Sequence, residues 1–556
     1  MSNNYYPLAT LYMSDAFDYK DGRLMGRHAA GLSYLRAIAE GDYEAAGFLI
    51  PDKMDNDNFI KTFSSLVLKD KTINVELFNY DKLNSSNKYG GLFIHDPQIG
   101  NFGLYRSKFG NNSFSIVGIT HTTMSLGVIN FLSDLYSKPA MEWDALVCTS
   151  SSVKSSIMKI IDYQEEFLKD KFEAKKFPKP QFPIIPLGIH SRDFNFTLSQ
   201  RDEVRKKMGI KENDIALIFV GRLSFHAKAH PFAMYKALDY ASKSLKKGQK
   251  IHLIQAGWFP NDFIENIFID EAKEICPDVI CHFVDGREIN TKMNSLAASD
   301  IFISLSDNFQ ETFGITPLEG MASNLPVIVS DWNGYRATVR DGIDGFTIPT
   351  TSLEKGDGIE MAYNYITNLN NYDHYIGFAS QTVSIDIDLC AKRIIELISS
   401  KDLRKKFGDS GKKRAKEIFE WKIITEEYKL LSNELDTIRN HNKDSTTQNF
   451  IEVIDPHNFF DTYPTHKLTK SSMVSSNGLK SITASHYIVS SKTIRLNNNP
   501  INFKCEIDIV NSILFAVEER SLSLKNISLQ INLSETKLKQ YIILMLKFDL
   551  LRIKRG

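Results

Sequence analysis

The sequence predicts an α/β protein built on parallel sheets, followed by a smaller α+β module at its C-terminal end. Three observations predict it. The chain has 556 residues, too many for one ordinary core, so two or three domains are expected. Short apolar runs alternate with helical periodicities, and turn residues sit between them, which is the pattern of βαβ units. From residue 437 to 485 the composition shifts to Asn, Ser, Thr and His with little periodicity, which reads as a linker; the periodicity then resumes.

The clearest βαβ unit is DIFISLSDNFQETFGITPLEGMASNLPVIVSDWNGYRATVRDGIDGFTIPT, residues 300–350. Residues 301–305 read as a buried strand, 306–310 as a turn, 315–323 as a helix and 326–330 as a second strand. Ligands of such sheets gather at the carboxyl ends of strands, against helix N-termini. Gly314 lets a ligand approach the backbone. The amides from Phe313 through Ile315 to Thr316 are donors without helical partners, suited to a phosphate or an anionic sugar nucleotide. Glu311 lies just before the helix, and Glu319 follows eight positions later, a little over two turns. Carboxylates beside a phosphate site suit sugar hydroxyls rather than the phosphate itself. Taken alone, Glu319 would be an ordinary helix-surface acid, and Glu311 a charge favoured by the helix dipole.

The pair and its frame, ETFGITPLEGMASNLPVIVS, closely resemble the nucleotide-sugar site of the family-4 retaining glycosyltransferases, whose pattern is E-x7-E. The resemblance extends more weakly over the first three quarters of the chain and stops before the C-terminal part. It implies two Rossmann-like domains facing across a cleft (the GT-B fold). The expected limits are 1–195 for an acceptor-side domain and 196–385 for a donor-binding domain. Helices at 386–436 would pack back on the first domain, and after the linker 486–556 would form a winged-helix-like module.

Taken in order, residues 8–13 read as the first strand and 29–38 carry helical periodicity. Gly26, at the turn between them, would let the donor approach the backbone, as the corresponding loop of the family does. Residues 92–95 and 115–120 read as short parallel strands. His121 lies just past the second; the resemblance implies that it contacts the donor sugar near the reacting centre. His95 is a second candidate for shaping the acceptor side. Residues from 145 give a strand, a serine-rich turn and a helix. The frame FPIIPLGIHSRDF crosses into the second domain, and His190 stands there where many relatives carry an acid.

The second domain opens with a strand at 215–220 and a turn at Gly221. Arg222 and Lys228 follow in the loop, where cations would neutralise a diphosphate leaving group. The resemblance implies the same role, with Lys228 one residue further along than the family's common spacing. Helices at 232–245 and 263–275 alternate with strands at 251–256 and 281–284. Residues 285–287 lie where relatives seat the nucleoside base through backbone contacts. Trp332, Asn333 and Gly334 are expected to wall the cleft. In FEWKIITEEYKLL, the residues Phe419, Trp421, Ile424, Tyr428 and Leu431 would form the buried side of the returning helix. In the module, HYIVSSKTIRL reads as a β-hairpin. Helices at 506–517, 524–530 and 534–547, the last capped by Ser534, precede a strand at 550–553. Lys537 and Lys539 on the last helix are offset by Glu535, which favours a peptide or protein partner over DNA, with a purely structural appendage as the alternative.

Lysine plus arginine, 67, balance aspartate plus glutamate, 67, so no global basic field favours nucleic acid. No apolar run reaches membrane-spanning length, and the N-terminus lacks a secretory pattern. Five scattered cysteines without zinc-site spacing suit a reduced compartment. The expected location is cytoplasmic, with a peripheral position at the inner membrane face left open. No Asp-x-Asp pair accompanies the motif, so neither a metal nor a cofactor is expected. The expected partners are a nucleotide diphosphate sugar, most readily UDP- or GDP-linked, and a glycan, lipid or peptide acceptor. The expected activity is metal-independent, retaining sugar transfer. Its rivals are phosphorolysis or epimerisation on the same fold, and a nucleotide-sugar-binding regulatory protein whose C-terminal module binds DNA or a protein.

Overall fold

The computed structural model describes residues 6–17, 26–52, 54–68, 71–442, 450, 452–478 and 506–553. The chain divides into two compact units, Met1–Glu452 and Val453–Gly556.

The first unit holds two six-stranded parallel sheets. Strands β1 (Ala9–Leu11), β2 (Ala45–Leu49), β3 (Asn74–Phe78), β4 (Leu92–Ile94), β5 (Ile116–Ile119) and β6 (Ala145–Val147) are ordered β3-β2-β1-β4-β5-β6. Strands β7 (Ile215–Val220), β8 (Ile251–Gly257), β9 (Val279–Asp285), β10 (Ile301–Ser304), β11 (Val327–Ser330) and β12 (Gly345–Ile348) are ordered β12-β11-β10-β7-β8-β9. Each sheet reverses its strand order beside its first strand, which is the Rossmann-like switch point where ligands collect. The expected two-domain α/β fold is therefore present. β7, β10 and β11 are buried throughout, which is why these strands read as unbroken apolar runs rather than alternations.

Helices Gly26–Glu40, Ser151–Phe172 and Ile315–Ala322 follow their strands. Ser150 caps the second, its Oγ accepting the Val153 amide at 3.3 Å. After the second sheet come helices Ile387–Ser399, Lys401–Ile418 and Trp421–His441. The last returns to the first sheet's domain. Phe419, Trp421, Ile424, Tyr428 and Leu431 are all buried, the Trp421 indole donates to Ser33 Oγ at 2.6 Å, and Ile189 pairs with Glu420 in a short parallel bridge. A Cβ at Gly188 would stand 2.3 Å from the Trp421 ring, so the glycine is what admits the indole. His190 is structural in the same corner, with Nε2 3.1 Å from the Ser33 carbonyl.

In the second unit, strand Met473–Ser476 pairs antiparallel with Leu522–Ser523 and with Leu551–Ile553. Helices Ile507–Ala516, Leu524–Ile531 and Glu535–Lys547 pack around Val474, Ile513, Leu538 and Tyr541. Ser534 caps the last helix, accepting the Lys537 amide at 3.4 Å. The unit thus begins inside the stretch read as linker, which contributes a strand. The hairpin expected from residue 486 lies outside the described residues. No helix among the described residues is long and apolar enough to cross a membrane.

Candidate active site

A cavity of about 450 Å³ lies between the two sheets of the first unit, at the exits of β5, β7 and β8. It gathers the residues expected to meet the donor or the reacting centre: Gly26 and His121 from the first domain, Arg222, Lys228, Glu311, Phe313, Gly314, Ile315 and Glu319 from the second. Hydrogen bonds across the cleft hold its floor. Ser150 Oγ donates to the Thr312 carbonyl at 2.9 Å, and Thr312 Oγ1 donates to the His121 carbonyl at 3.2 Å.

The electrostatic centre is Lys228 with Glu311. Lys228 Nζ donates to Glu311 Oε2 at 2.5 Å, and the side chains are 16% and 13% exposed. Burial pulls the Lys228 ammonium down, but the facing Glu311 carboxylate more than offsets this, so its pKa lies above the ordinary lysine value. Burial pushes Glu311 up, and the Lys228 charge together with the hydrogen bonds the carboxylate accepts from Lys228, the Phe313 amide and Tyr335 outweighs it, so Glu311 lies below the usual range. Both are ionised. The Phe313 amide also serves the Glu311 carboxylate, so this donor is already engaged. Tyr335 buttresses the pair: its hydroxyl lies 3.5 Å from Lys228 Nζ and from Glu311 Oε2, and 2.8 Å from Ser304 Oγ. Arg222 donates to the Ala227 carbonyl at 3.2 Å. Burial lowers its pKa, against the pull of Asp373 and Glu311.

Glu319 sits in the Ile315–Ala322 helix with one oxygen committed. Lys292 Nζ donates to Oε1 at 2.7 Å. Oε2 is buried and has no hydrogen-bond partner among the described residues, nor has Thr316 Oγ1 beside it in the cavity. Buried acceptors left unsatisfied are costly, so they mark where a ligand donor belongs. Gly314 opens the helix at φ 92°, a left-handed conformation. A Cβ there would lie 2.4 Å from the Tyr335 ring, so only glycine fits. Gly26 differs. It is the first residue of its helix and lines the cavity, and a Cβ on it would meet nothing within 4 Å among the described residues.

His121 is kept neutral: burial, aided by the Arg27 charge, lowers its pKa to about 4. His95 lies behind it, lowered to about 3 by burial and by His121. Its Nε2 is buried without a hydrogen-bond partner among the described residues, and its ring packs against Phe17, Tyr34 and Phe93. His95 is thus packing behind the cavity rather than lining it. Trp332, Asn333 and Gly334 also stand behind the site. The Trp332 indole donates to the Asn308 carbonyl at 3.0 Å, and a Cβ at Gly334 would lie 2.3 Å from Phe313 Cα. They support the 308–313 loop and do not wall the cleft. Lys292, Tyr335, Asn308 and Arg27 escaped the sequence reading. A lone lysine in the Ile289–Ala298 helix, and a tyrosine far beyond Glu311, give no local signal.

These observations can be set against known proteins. Residues 200–356 match the family model of the glycosyl transferases, group 1. The chain is 27% identical over 174 residues (31% of this chain, 42% of the relative) to UDP-Gal:alpha-D-GlcNAc-diphosphoundecaprenol alpha-1,3-galactosyltransferase of Escherichia coli. It is 23% identical over 288 residues (50% and 64%) to spore coat protein SA of Bacillus subtilis. Among solved structures, HepE of Anabaena in complex with UDP aligns with a TM-score of 0.49 at 13% identity, covering 77% of this chain and 100% of that one. The chain spans about half the length of the curated relatives it matches, from 36% to 64%.

Proposed function

We propose that the protein is a glycosyltransferase that moves a sugar from a nucleotide diphosphate sugar to an acceptor hydroxyl, with retention at the anomeric carbon and without a metal ion. The observation that carries this reading is the cavity between the two sheets. It holds a buried carboxylate oxygen without a partner among the described residues, Glu319 Oε2, in the same lining as the Lys228–Glu311 pair. The match of residues 200–356 to the group 1 glycosyl transferases supports it independently.

In this reading Glu319 Oε2 accepts a ribose hydroxyl, while Lys292 holds the other oxygen. Arg222 and Lys228 face the diphosphate. As the sugar–phosphate bond breaks, charge grows on the leaving oxygen, and a buried ammonium and guanidinium stabilise that charge more than the ground state. Two fixed cations do the work that a metal does in other transferases. Glu311 orients the sugar and keeps Lys228 protonated. The acceptor enters beside His121, and the leaving phosphate oxygen takes its proton from the same face, so no side-chain base is required. The name of the E. coli relative gives a UDP-sugar donor and an α-linked product, in keeping with a UDP-sugar here.

The C-terminal unit suits a protein or peptide partner better than DNA. Two of its cations are held by acids, Lys537 with Glu506 at 2.9 Å and Lys470 with Glu535 at 3.0 Å, and these are less available to phosphates.

The test is thermal-shift binding without added metal against UDP-, GDP-, ADP- and TDP-sugars, comparing wild type with Glu319→Ala. A true donor at a hundredfold excess over its Kd stabilises by about 2.7 kcal/mol. One hit weakened by the substitution, followed by transfer to an acceptor, supports the reading. Binding without turnover on any acceptor would favour a sensor, and no hit would overturn the donor site.

A further inference from the structure

A second cavity lies at the opposite edge of the first sheet. The first cavity stands where the strands leave the sheet; the second stands where they enter it. Leu8, just before β1, and Tyr89, just before β4, line a hollow of about 270 Å³. The Gly26–Glu40 helix supplies Tyr34 to it, and the Trp421–His441 helix supplies Tyr428, Asn433 and Asp436. It shares no residue with the donor cleft.

Its chemistry differs from that of the cleft. Among the described residues three charged side chains line it, and each is already matched. Lys88 lies 2.7 Å from Glu76, Lys429 lies 3.3 Å from Glu426, and Asp436 lies 2.6 Å from Arg439. An anion or a cation entering would therefore find no unmatched opposite charge to repay its desolvation. What remains is a set of tyrosine rings beside neutral donors and acceptors, the Asn433 amide and neighbouring hydroxyls of Thr425 and Ser432. Of these rings Tyr6 is half-buried and Tyr34, Tyr43, Tyr89 and Tyr428 are buried; each carries an apolar body and a polar tip, and an amide donates and accepts together. A neutral ligand with an apolar face and a rim of hydroxyls satisfies both. That is the surface of a sugar ring.

We propose that this hollow is a second saccharide-binding site, separate from the donor cleft, for a neutral sugar unit. It does not depend on the activity proposed above. In a transferase, it would hold a sugar of a bound glycan at a distance from the reacting end.

The test uses the full chain and the methyl α- and β-glycosides of glucose, galactose, mannose and N-acetylglucosamine, read by saturation-transfer NMR and calorimetry. Binding of at least one glycoside is expected to persist with excess UDP present and in Glu319→Ala. Asn433→Ala is expected to weaken it about fivefold or more, the loss of about one to two hydrogen bonds, and Ser432→Trp to abolish it by filling the space. Asn433 is exposed, so its replacement should leave the thermal midpoint unchanged and separate lost binding from lost folding. The proposal is overturned if no glycoside binds. It is equally overturned if UDP or Glu319→Ala removes the binding, which would place the sugar in the cleft, or if Asn433→Ala and a folded Ser432→Trp leave it unchanged. Donor binding in the thermal-shift assay is scored separately, so either site can fail without the other.

Discussion

Lys228 Nζ and Glu311 Oε2 lie 2.5 Å apart in a cavity where neither side chain is more than 16% exposed. A buried pair of this kind is costly to break from one side, because the survivor keeps its charge without a partner. Glu311→Gln should therefore destabilise the protein by about 3 kcal/mol, seen as a lower midpoint in urea. UDP should restore more stability to the variant than it adds to wild type, since its diphosphate replaces the lost counter-charge on Lys228. Equal gains in both proteins would show that Lys228 does not meet the diphosphate.

Glu319 should read the ribose. If Oε2 accepts a ribose hydroxyl, a donor lacking the 2′- or 3′-hydroxyl should bind wild type about tenfold more weakly, the scale of a hydrogen bond to a charged group. Glu319→Ala should bind the intact and deoxy donors alike. A deoxy penalty that survives the substitution would move the ribose elsewhere in the cleft. Lys292→Met should weaken both donors together, because Lys292 positions Glu319 through Oε1 without touching the sugar itself.

Arg222 and Lys228 should separate binding from chemistry. Charge on the leaving diphosphate grows in the transition state, so Arg222→Gln should lower kcat by about 10² or more, with a smaller change in the donor KM. A variant whose whole loss lay in KM would reduce Arg222 to a binding contact.

The histidine of the cleft makes a pH prediction with a definite sign. His121 is held neutral, its pKa lowered from 6.5 to about 4 by burial and by Arg27. Between those values the unfolded chain binds a proton that the folded chain refuses, so stability falls as pH drops through this window. His95, lowered to about 3, acts in the same direction. Asp307 acts in the opposite direction: burial raises it to about 7, so its contribution is present at low pH and fades as pH rises toward 7. The net slope mixes these three with other histidines, His226, His230, His252 and His282 among them, whose pKa values burial also lowers, and the comparison must be made by difference. His121→Gln should show less loss than wild type between pH 6.5 and 4, and Asp307→Asn more. Parallel curves for wild type and His121→Gln would mean that His121 takes up its proton in the folded state as readily as in the unfolded one.

How much of this was legible depends on how local each feature is. β7 was read to the residue because Ile215–Val220 is buried along its whole length and announces itself as an apolar run. Glu311, Gly314 and Glu319 were legible because one strand–loop–helix segment carries all three. Lys292 and Tyr335 were not, since each reaches the site from another element and only the fold brings it there. Trp332, Asn333 and Gly334 were misplaced for the same reason: a loop after a strand can face the ligand or brace the loop that does, and Gly334 lies too close to Phe313 for anything but bracing. The second cavity had no sequence signature, because Tyr34 and Tyr428 meet only when the final helix returns.

That return rests on a fit between Trp421 and Gly188. The indole lies where a Cβ at residue 188 would stand, 2.3 Å from its ring, and donates to Ser33 at 2.6 Å. Gly188→Ala should overpack the corner and destabilise the protein by about 1–3 kcal/mol, and Trp421→Ala should cost about 3–5 kcal/mol through the cavity it leaves. The double variant should lose less than the sum, because the added methyl enters the space the indole vacates, and residues in contact do not add. Strict additivity in a urea double-mutant cycle would mean that the helix is held by other contacts, with Trp421 only resting on the corner.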